Sequence, residues 1–132
     1  MIPRWDVLVI DDEPVVREVL IRVLEADGLR VACAGSGEAA LAHEALADCR
    51  LAVCDLMMPG MSGLQVMRAI RARRPDVAVL AITGYATAEI ATQVAEAGAT
   101  AFLAKPFDHD ELFEKVRHVL EGTDRSAKEE RS

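Results

Sequence analysis

Short apolar runs alternate with longer amphipathic stretches along this chain, and the alternation repeats five times. Four of the five runs are rich in valine, leucine or isoleucine with little polar alternation, which is typical of strands covered on both faces in a parallel sheet. We therefore predict five strands, at residues 7–10, 29–33, 51–54, 77–82 and 101–103.

The stretches that follow these runs have helical spacing. In the first of them, one face is predicted to pack on the sheet, and it consists of Val15, Val19, Leu20, Val23 and Leu24. The other face is predicted to meet solvent, and it consists of Arg17, Glu18, Arg22 and Glu25. One helix is expected after each strand.

Polar residues mark the predicted helix starts. Asp12 is placed to cap the first helix, and Pro14 lies in its first turn, where the missing N–H does no harm. The later helices are predicted to begin at or near Ser36, Ser62, Thr87 and Asp108.

This regular alternation predicts an α/β protein, a (βα)5 doubly wound three-layer sandwich. Right-handed crossovers would place helices on both faces of a five-stranded parallel sheet. The predicted strand order is 2-1-3-4-5, the flavodoxin-like order, with its switch point between strands 1 and 3. The first and third strands are then direct neighbours.

Length and residue spacing indicate one domain. The chain has 132 residues, enough to bury a core. Apolar periodicity ends near Leu120, so we predict a folded domain over residues 1–121 and a disordered tail or linker stub over residues 122–132. The three cysteines lack metal-ligand spacing, and reduced, mostly buried thiols are expected.

Charge and hydropathy exclude several classes of partner. The formal net charge is −7, which argues against direct nucleic-acid binding. Four arginines near the end of the third helix, Arg68, Arg71, Arg73 and Arg74, are interpreted as a solvated face. No apolar stretch approaches the length of a membrane span and the start lacks a signal-peptide core, so a cytoplasmic location without membrane contact is expected.

Candidate chemistry lies where the predicted strands end. The residues there are Asp11, Asp12, Asp55, Thr83 and Lys105. The carboxyl ends of parallel strands share one edge of the sheet, and open α/β sheets bind ligands at that edge. Three carboxylates, a hydroxyl and an ammonium group on one edge indicate a site for a divalent cation and a phosphoryl group.

Mg²⁺ suits this set best, because crowded carboxylates repel one another and Mg²⁺ prefers oxygen ligands. These loops contain no histidine or cysteine that would favour zinc. A carboxylate beside such a metal can attack a phosphoryl donor and form an acyl phosphate. Lys105 and Thr83 would then neutralise oxygens of the transferred group.

Four stretches of this sequence, VLVIDDEP, DLMMPGMSG, ITGYA and EAGATAFLAKPF, lie at residues 7–14, 55–63, 82–86 and 96–107. In these stretches the chain resembles the receiver domain of bacterial two-component response regulators, and the resemblance covers about residues 6–120. It implies a phosphorylation-activated protein in a two-component phosphorelay. Such a protein is a signalling protein rather than an enzyme, with only slow self-catalysed phosphotransfer and autodephosphorylation.

The resemblance also implies residue roles. Asp55 would accept a phosphoryl group from a histidine kinase or a histidine phosphotransfer protein. Asp12 and Asp55 would bind Mg²⁺ directly, Asp11 through water, and the backbone carbonyl of Met57 would be a further ligand. Lys105 would pair with the phosphate.

A switch is implied as well. Thr83 and Phe102 resemble a pair in which the hydroxyl moves to the phosphate and the ring swings inward. The surface of helix 4, strand 5 and helix 5 would then change and control a downstream protein target or a fused output domain. The same change could make the protein dimerise when it is phosphorylated. The Lys105–Pro106 peptide bond is expected to be cis.

Three alternative functions can be compared with the residues at this edge. A haloacid-dehalogenase-like phosphatase needs Asp-x-Asp after the first strand, whereas this chain has adjacent Asp11 and Asp12. A flavodoxin-type FMN site needs a phosphate-binding loop where this chain has acidic residues, which would repel phosphate. A phosphorylation-independent protein-binding module on the same fold stays open.

Overall fold

Five parallel strands form one sheet in the computed structural model, which describes the backbone of residues 4–131 and the side chains of residues 4–122. The strands are β1 (Val7–Ile10), β2 (Val31–Ala34), β3 (Leu51–Asp55), β4 (Ala78–Thr83) and β5 (Ala101–Ala104). Their order is β2-β1-β3-β4-β5. The predicted fold class and strand order are therefore confirmed, and boundaries differ by one or two residues.

Helices follow the strands along the chain. They are α1 (Pro14–Ala26), α2 (Gly37–Ala42), α3 (Gly63–Arg73), α4 (Ala88–Glu96) and α5 (His109–Arg131), with a short 3₁₀ helix at Glu44–Ala47. In the part of the chain described here, none of these helices combines the length and hydrophobicity needed to cross a lipid bilayer.

The sheet is buried on both faces, as its apolar runs predict. In β1, Leu8 and Ile10 pack into one core, while Val7 and Val9 pack into the other. This division follows from the alternation of side chains along a strand. Helices α2, α3 and α4 cover the first core, and α1 and α5 cover the second, which gives the three layers.

The predicted helix starts are mostly correct. Ser36, Ser62, Thr87 and Asp108 each accept a hydrogen bond from a backbone N–H three residues on. At Ser62 the bond is reciprocated, because the Gln65 side chain accepts from the Ser62 N–H and completes a capping box. These local bonds fix the residues at which the loops after the strands end and the helices begin.

Helix α1 differs from its prediction in two ways. Asp12 does not cap it, because Glu13 is the N-cap residue and makes no side-chain capping bond. Its buried face is also rotated, since Val15 and Val19 are 72% and 51% exposed while Leu20 is buried. The neighbouring Val16 packs on the sheet in place of Val15. A strip of valine side chains is therefore left facing solvent.

The arginine cluster is only in part a solvated face, because Arg68 and Arg73 are exposed as predicted whereas Arg71 and Arg74 are partly buried. Arg71 donates to the carbonyl oxygens of Val77 at 2.6 Å and Gly98 at 2.7 Å. Arg73 donates to the carbonyl oxygen of Leu41 in α2, and Arg74 donates to those of Leu46 and Cys49 between α2 and β3. These guanidinium groups satisfy backbone acceptors of neighbouring segments, so their role is structural.

Helix α5 extends to Arg131 and so includes the backbone of residues 122–131, within the stretch predicted to be a disordered tail or linker stub. Side chains beyond residue 122 lie outside the described part of the chain, as do residues 1–3 and 132. The division of the chain at residues 121 and 122 stays a prediction.

The thiols differ in exposure. Cys49 and Cys54 are buried, and burial raises the pKa of Cys49 to about 11 and that of Cys54 to about 12, whereas Cys33 is exposed. We expect the native protein to take up one alkyl group from iodoacetamide at mildly alkaline pH, at Cys33, because only a thiolate reacts. Intact mass should show all three adducts after denaturation, and rapid native labelling of Cys49 or Cys54 would contradict the packing.

Candidate functional site

The register of the sheet brings the predicted site residues to one edge. Ile10 pairs with Cys54, so Asp11 and Asp55 follow at the ends of adjacent strands. Thr83 pairs with Ala104, and the Lys105 N–H donates to the Thr83 carbonyl oxygen at 2.7 Å. The backbone hydrogen bonds of the sheet therefore place the carboxyl ends of β1, β3, β4 and β5 side by side at one edge.

Three carboxylates meet at this edge, and we call Asp11, Asp12 and Asp55 the acidic cluster. Each offers an oxygen, and these oxygens all lie within 4.8 Å of one another. Asp11 and Asp55 are only 2% and 4% exposed, and Thr83 is buried beside them. Burial strengthens the mutual repulsion of the carboxylates, because less solvent screens it.

Lys105 provides the nearby positive charge. Its Nζ lies 3.6 Å from Asp55 Oδ2 and 3.9 Å from Asp11 Oδ2. One ammonium group cannot balance three ionised carboxylates, so two negative charges remain on the cluster. The Lys105–Pro106 bond is cis, as expected.

The side chains of Asp11, Asp55 and Thr83 each accept a hydrogen bond from the backbone of the loop that follows their strand. Asp11 Oδ1 accepts from the Glu13 N–H at 2.9 Å, and Asp55 Oδ1 accepts from the Met57 N–H at 3.2 Å. Thr83 Oγ1 accepts from the Tyr85 N–H at 3.0 Å. Such bonds two residues on are typical of Asp and Thr in turns. They orient Oδ2 of both aspartates toward Lys105.

Burial and the neighbouring carboxylates together raise the pKa of Asp11. Burial raises the pKa of Asp11, and Asp55 and Asp12 raise it further, while the Glu13 N–H and Lys105 oppose the shift. A folded-state pKa above the unfolded value means that the folded protein binds the proton more tightly. Its stability therefore falls as pH rises through the pKa of Asp11.

The Asp11→Asn substitution should stabilise the metal-free protein at neutral pH, raising Tm by a few degrees. The amide oxygen can still accept from the Glu13 N–H, Lys105 keeps Asp55 as its partner, and one buried negative charge is lost. Thermal unfolding in EDTA tests this, with the exposed Glu25→Gln as control. The gain should vanish at acid pH, where wild-type Asp11 is protonated in both the folded and the unfolded state. An equal gain at both pH values would contradict the account.

The donor set fits a hard divalent cation. All three side chains offer oxygen, and Asp12 Oδ1 is buried with no hydrogen-bond partner in the described part of the chain. A buried oxygen without a partner is costly, and a cation would satisfy it. Oxygen ligands and the excess of two negative charges suit Mg²⁺ in particular.

Two of the predicted site residues, Met57 and Phe102, are not part of the acidic cluster. The Met57 side chain is 60% exposed, and its N–H belongs to the loop bond with Asp55. Phe102 is partly buried on β5, against the core that α3 and α4 cover, and it also lines a groove beside α5. The role of the Met57 carbonyl as a ligand and that of Phe102 in a switch both stay predictions.

Arg17 is a residue of this edge that the sequence analysis assigned to the solvent face. Its Nη1 donates to the backbone carbonyl of Asp11 at 2.7 Å. The only signal in the sequence is its position one turn into α1, which also suits a surface arginine. A contact to a backbone oxygen leaves no pattern in residue types.

The comparisons with known proteins agree with this geometry. The sequence matches the response regulator receiver domain over residues 7–117. It is 38% identical over 112 residues to the transcriptional regulatory protein FixJ of Azorhizobium caulinodans, covering 85% of this chain and 53% of FixJ. It is 36% identical over 114 residues to a cyclic di-GMP phosphodiesterase of Thermotoga maritima, covering 86% of this chain and 30% of that protein.

A solved structure shows the same fold. A CheY-like response regulator receiver domain protein of Methanospirillum hungatei superposes with a TM-score of 0.86 at 27% identity, covering 92% of this chain and 98% of that one. The chain spans about half the length of FixJ and less than a third of the phosphodiesterase. The remainder of each relative lies outside the region that it shares with this chain.

This chain belongs to the response regulator receiver domain family. It is a phosphorylation-activated receiver, a signalling domain of two-component systems, as the sequence analysis predicted.

Proposed function

We propose that Asp55 is the phosphoryl acceptor and that the donor is a phosphohistidine of a partner kinase or phosphotransfer protein. The observation that carries this is the position of Asp55. Its carboxylate is buried, Oδ1 is held by its own loop, and Oδ2 lies 3.6 Å from the Lys105 ammonium group, nearer than Asp11 Oδ2 at 3.9 Å. A fixed carboxylate next to a fixed cation suits phosphoryl transfer, which depends mainly on positioning and charge neutralisation.

In the transfer, an oxygen of Asp55 forms a bond to phosphorus as the bond between phosphorus and the donor imidazole nitrogen breaks. The imidazole leaves with the electron pair of that bond, and Asp55 becomes a mixed carboxylic–phosphoric anhydride. Water later attacks phosphorus and regenerates the carboxylate with release of inorganic phosphate. We expect the self-catalysed rates of phosphotransfer and dephosphorylation to be slow, so the proposed role is that of a signalling protein rather than an enzyme.

Asp12 and Asp55 would hold Mg²⁺ directly, with Asp11 acting through water and the Met57 carbonyl as a further ligand. The bound ion would neutralise charge on the phosphoryl oxygens. Lys105 would neutralise a further oxygen, and its distances to Asp55 and Asp11 support this role. The Thr83 hydroxyl accepts from the Tyr85 N–H and so keeps its own proton for donation to the phosphoryl group.

The donor must reach Asp55 from outside, so it must touch the surface around the site. The exposed side chains of Val15 and Val19 line a groove with Pro106 and Phe107, and Lys105 lies at the same groove. Exposed apolar side chains in a continuous patch are typical of protein contacts. We propose that this groove receives the phosphodonor protein.

For the output, we propose that Thr83 and Phe102 act as the switch and that the surface of α4, β5 and α5 changes with phosphorylation. The partly buried ring of Phe102, with a groove beside it, supports a side chain that can move between two positions. That surface would control a protein target or a fused output domain, or form a phosphorylation-dependent dimer. Nucleic acid would be bound by an output domain rather than by this acidic chain.

Intact mass spectrometry after incubation with acetyl phosphate tests the proposal. Wild-type protein should gain one phosphoryl group with Mg²⁺ and none in EDTA, and Asp55→Asn should gain none in either. Asp110→Asn, which changes an exposed aspartate on α5, should behave as wild type. A wild-type protein that binds Mg²⁺ without gaining mass would overturn the proposal and favour a phosphorylation-independent binding module on this fold.

A further inference from the structure

Arg17 joins the ends of two neighbouring strands. Its Nη1 donates to the Asp11 carbonyl oxygen at 2.7 Å, just past the end of β1. Its guanidinium group also lies over the backbone of Gly35, just past the end of β2. A Cβ atom on Gly35 would lie 3.0 Å from Nη1 and 3.5 Å from Cζ of Arg17. The missing side chain at Gly35 therefore makes room for the arginine.

The bond from Arg17 completes the restraint of Asp11. The Asp11 N–H donates to the Ala34 carbonyl oxygen at 3.2 Å, which extends the pairing of β1 with β2. Its carboxylate is held by the Glu13 N–H. The carbonyl is the remaining polar group of Asp11, and Arg17 binds it. All three polar groups of this residue thus have a fixed direction.

The same bond sets the position of Asp12. The carbonyl group of Asp11 and the N–H and Cα of Asp12 belong to one planar peptide unit. Holding the carbonyl oxygen therefore fixes where the Asp12 side chain begins. That side chain carries the buried Oδ1 without a hydrogen-bond partner in the described part of the chain.

The hydrogen bond from Arg17 and its positive charge would act on a bound cation in opposite directions. Removal of a cation from this neighbourhood would, by charge alone, favour the binding of Mg²⁺. A lower Mg²⁺ affinity after removal of Arg17 would therefore indicate that Arg17 positions the ligands, whereas a higher affinity would indicate an effect of its charge.

We propose that Arg17, seated over Gly35, is a positioning residue for the metal site, holding the Asp11–Asp12 peptide so that both carboxylates face a shared cation. The inference rests on the proposed Mg²⁺ site. Residues that orient metal ligands typically account for a factor of about 10 to 100 in affinity. Arg17→Ala should therefore weaken Mg²⁺ binding about tenfold.

Isothermal titration calorimetry with Mg²⁺ alone tests this without any phosphoryl donor. Arg17→Lys should recover part of the lost affinity, because an ammonium group can still donate to one carbonyl oxygen. The matched control is Arg22→Ala, which removes an exposed arginine of the same helix that pairs with Glu18. It should leave the affinity unchanged.

Gly35→Ala gives an independent perturbation, since the new methyl group displaces the guanidinium without altering its charge. It should weaken Mg²⁺ binding in the wild-type background and have little further effect when combined with Arg17→Ala, because both changes break the same contact. Additive losses would overturn the positioning role, as would unchanged or tighter binding in Arg17→Ala. Wild-type protein that binds no Mg²⁺ would instead refute the metal site itself.

Discussion

Replacing Lys105 with methionine should slow phosphorylation of Asp55 by acetyl phosphate by about 100-fold. The Lys105 Nζ is 3.6 Å from Asp55 Oδ2. An incoming phosphoryl group next to that oxygen would bring further negative charge into a buried site that already holds three carboxylates. Removal of one preorganised cation or donor from such a site typically costs a factor of about 100 to 1,000 in rate.

The rate of mass gain at saturating Mg²⁺ measures this effect. Lys115→Met is the matched control, because Lys115 lies on α5 beside a different groove, away from the acidic cluster. It should phosphorylate at the wild-type rate. A Lys105→Met rate within a few-fold of wild type would show that the ammonium group does not stabilise the transferred phosphoryl group.

The Gly63→Ala substitution should destabilise the protein by about 3 kcal/mol, corresponding to a fall in Tm of roughly 10 °C. A Cβ atom on Gly63 would lie 2.5 Å from both the Asp55 carbonyl oxygen and the Leu56 Cα. These are backbone atoms at the end of β3, so they cannot move aside as a flexible side chain would. The Gly63 N–H also donates to the Leu56 carbonyl oxygen, which ties the two segments together.

Gly122→Ala is the matched control, and the expected sign is opposite. A Cβ atom on Gly122 meets nothing within 4 Å, and the residue lies inside α5. Alanine there should stabilise by up to about 1 kcal/mol, because it favours the helix. Thermal unfolding of both variants is the measurement. An unchanged Tm in Gly63→Ala would mean that the loop after Asp55 does not pack as described.

The fold could be predicted because its signals are repeated and local. Unbroken apolar runs mark strands buried on both faces, and helix-capping residues such as Ser62 mark the loops between them. The candidate site could be predicted for a related reason. Its residues follow the strands directly, so the topology alone brings Asp11, Asp55 and Thr83 to one edge.

What the sequence could not show depends on the direction of individual side chains. The valines at 15, 16 and 19 are identical in type, and only packing determines that Val16 turns inward while Val15 and Val19 meet solvent. Arg17 and Arg71 were both predicted on solvated faces, although their guanidinium groups bind backbone carbonyl oxygens. Any loop can offer such an acceptor, so residue types do not reveal it.

The most direct test of the central claim is to identify the phosphorylated residue itself. Borohydride reduces an aspartyl phosphate to homoserine, so reduction after treatment with acetyl phosphate and Mg²⁺ marks the acceptor for tandem mass spectrometry. We predict homoserine at position 55 and at no other aspartate. Homoserine at position 11 or 12 would contradict the assignment of Asp55, as would the absence of homoserine in protein that has gained a phosphoryl group.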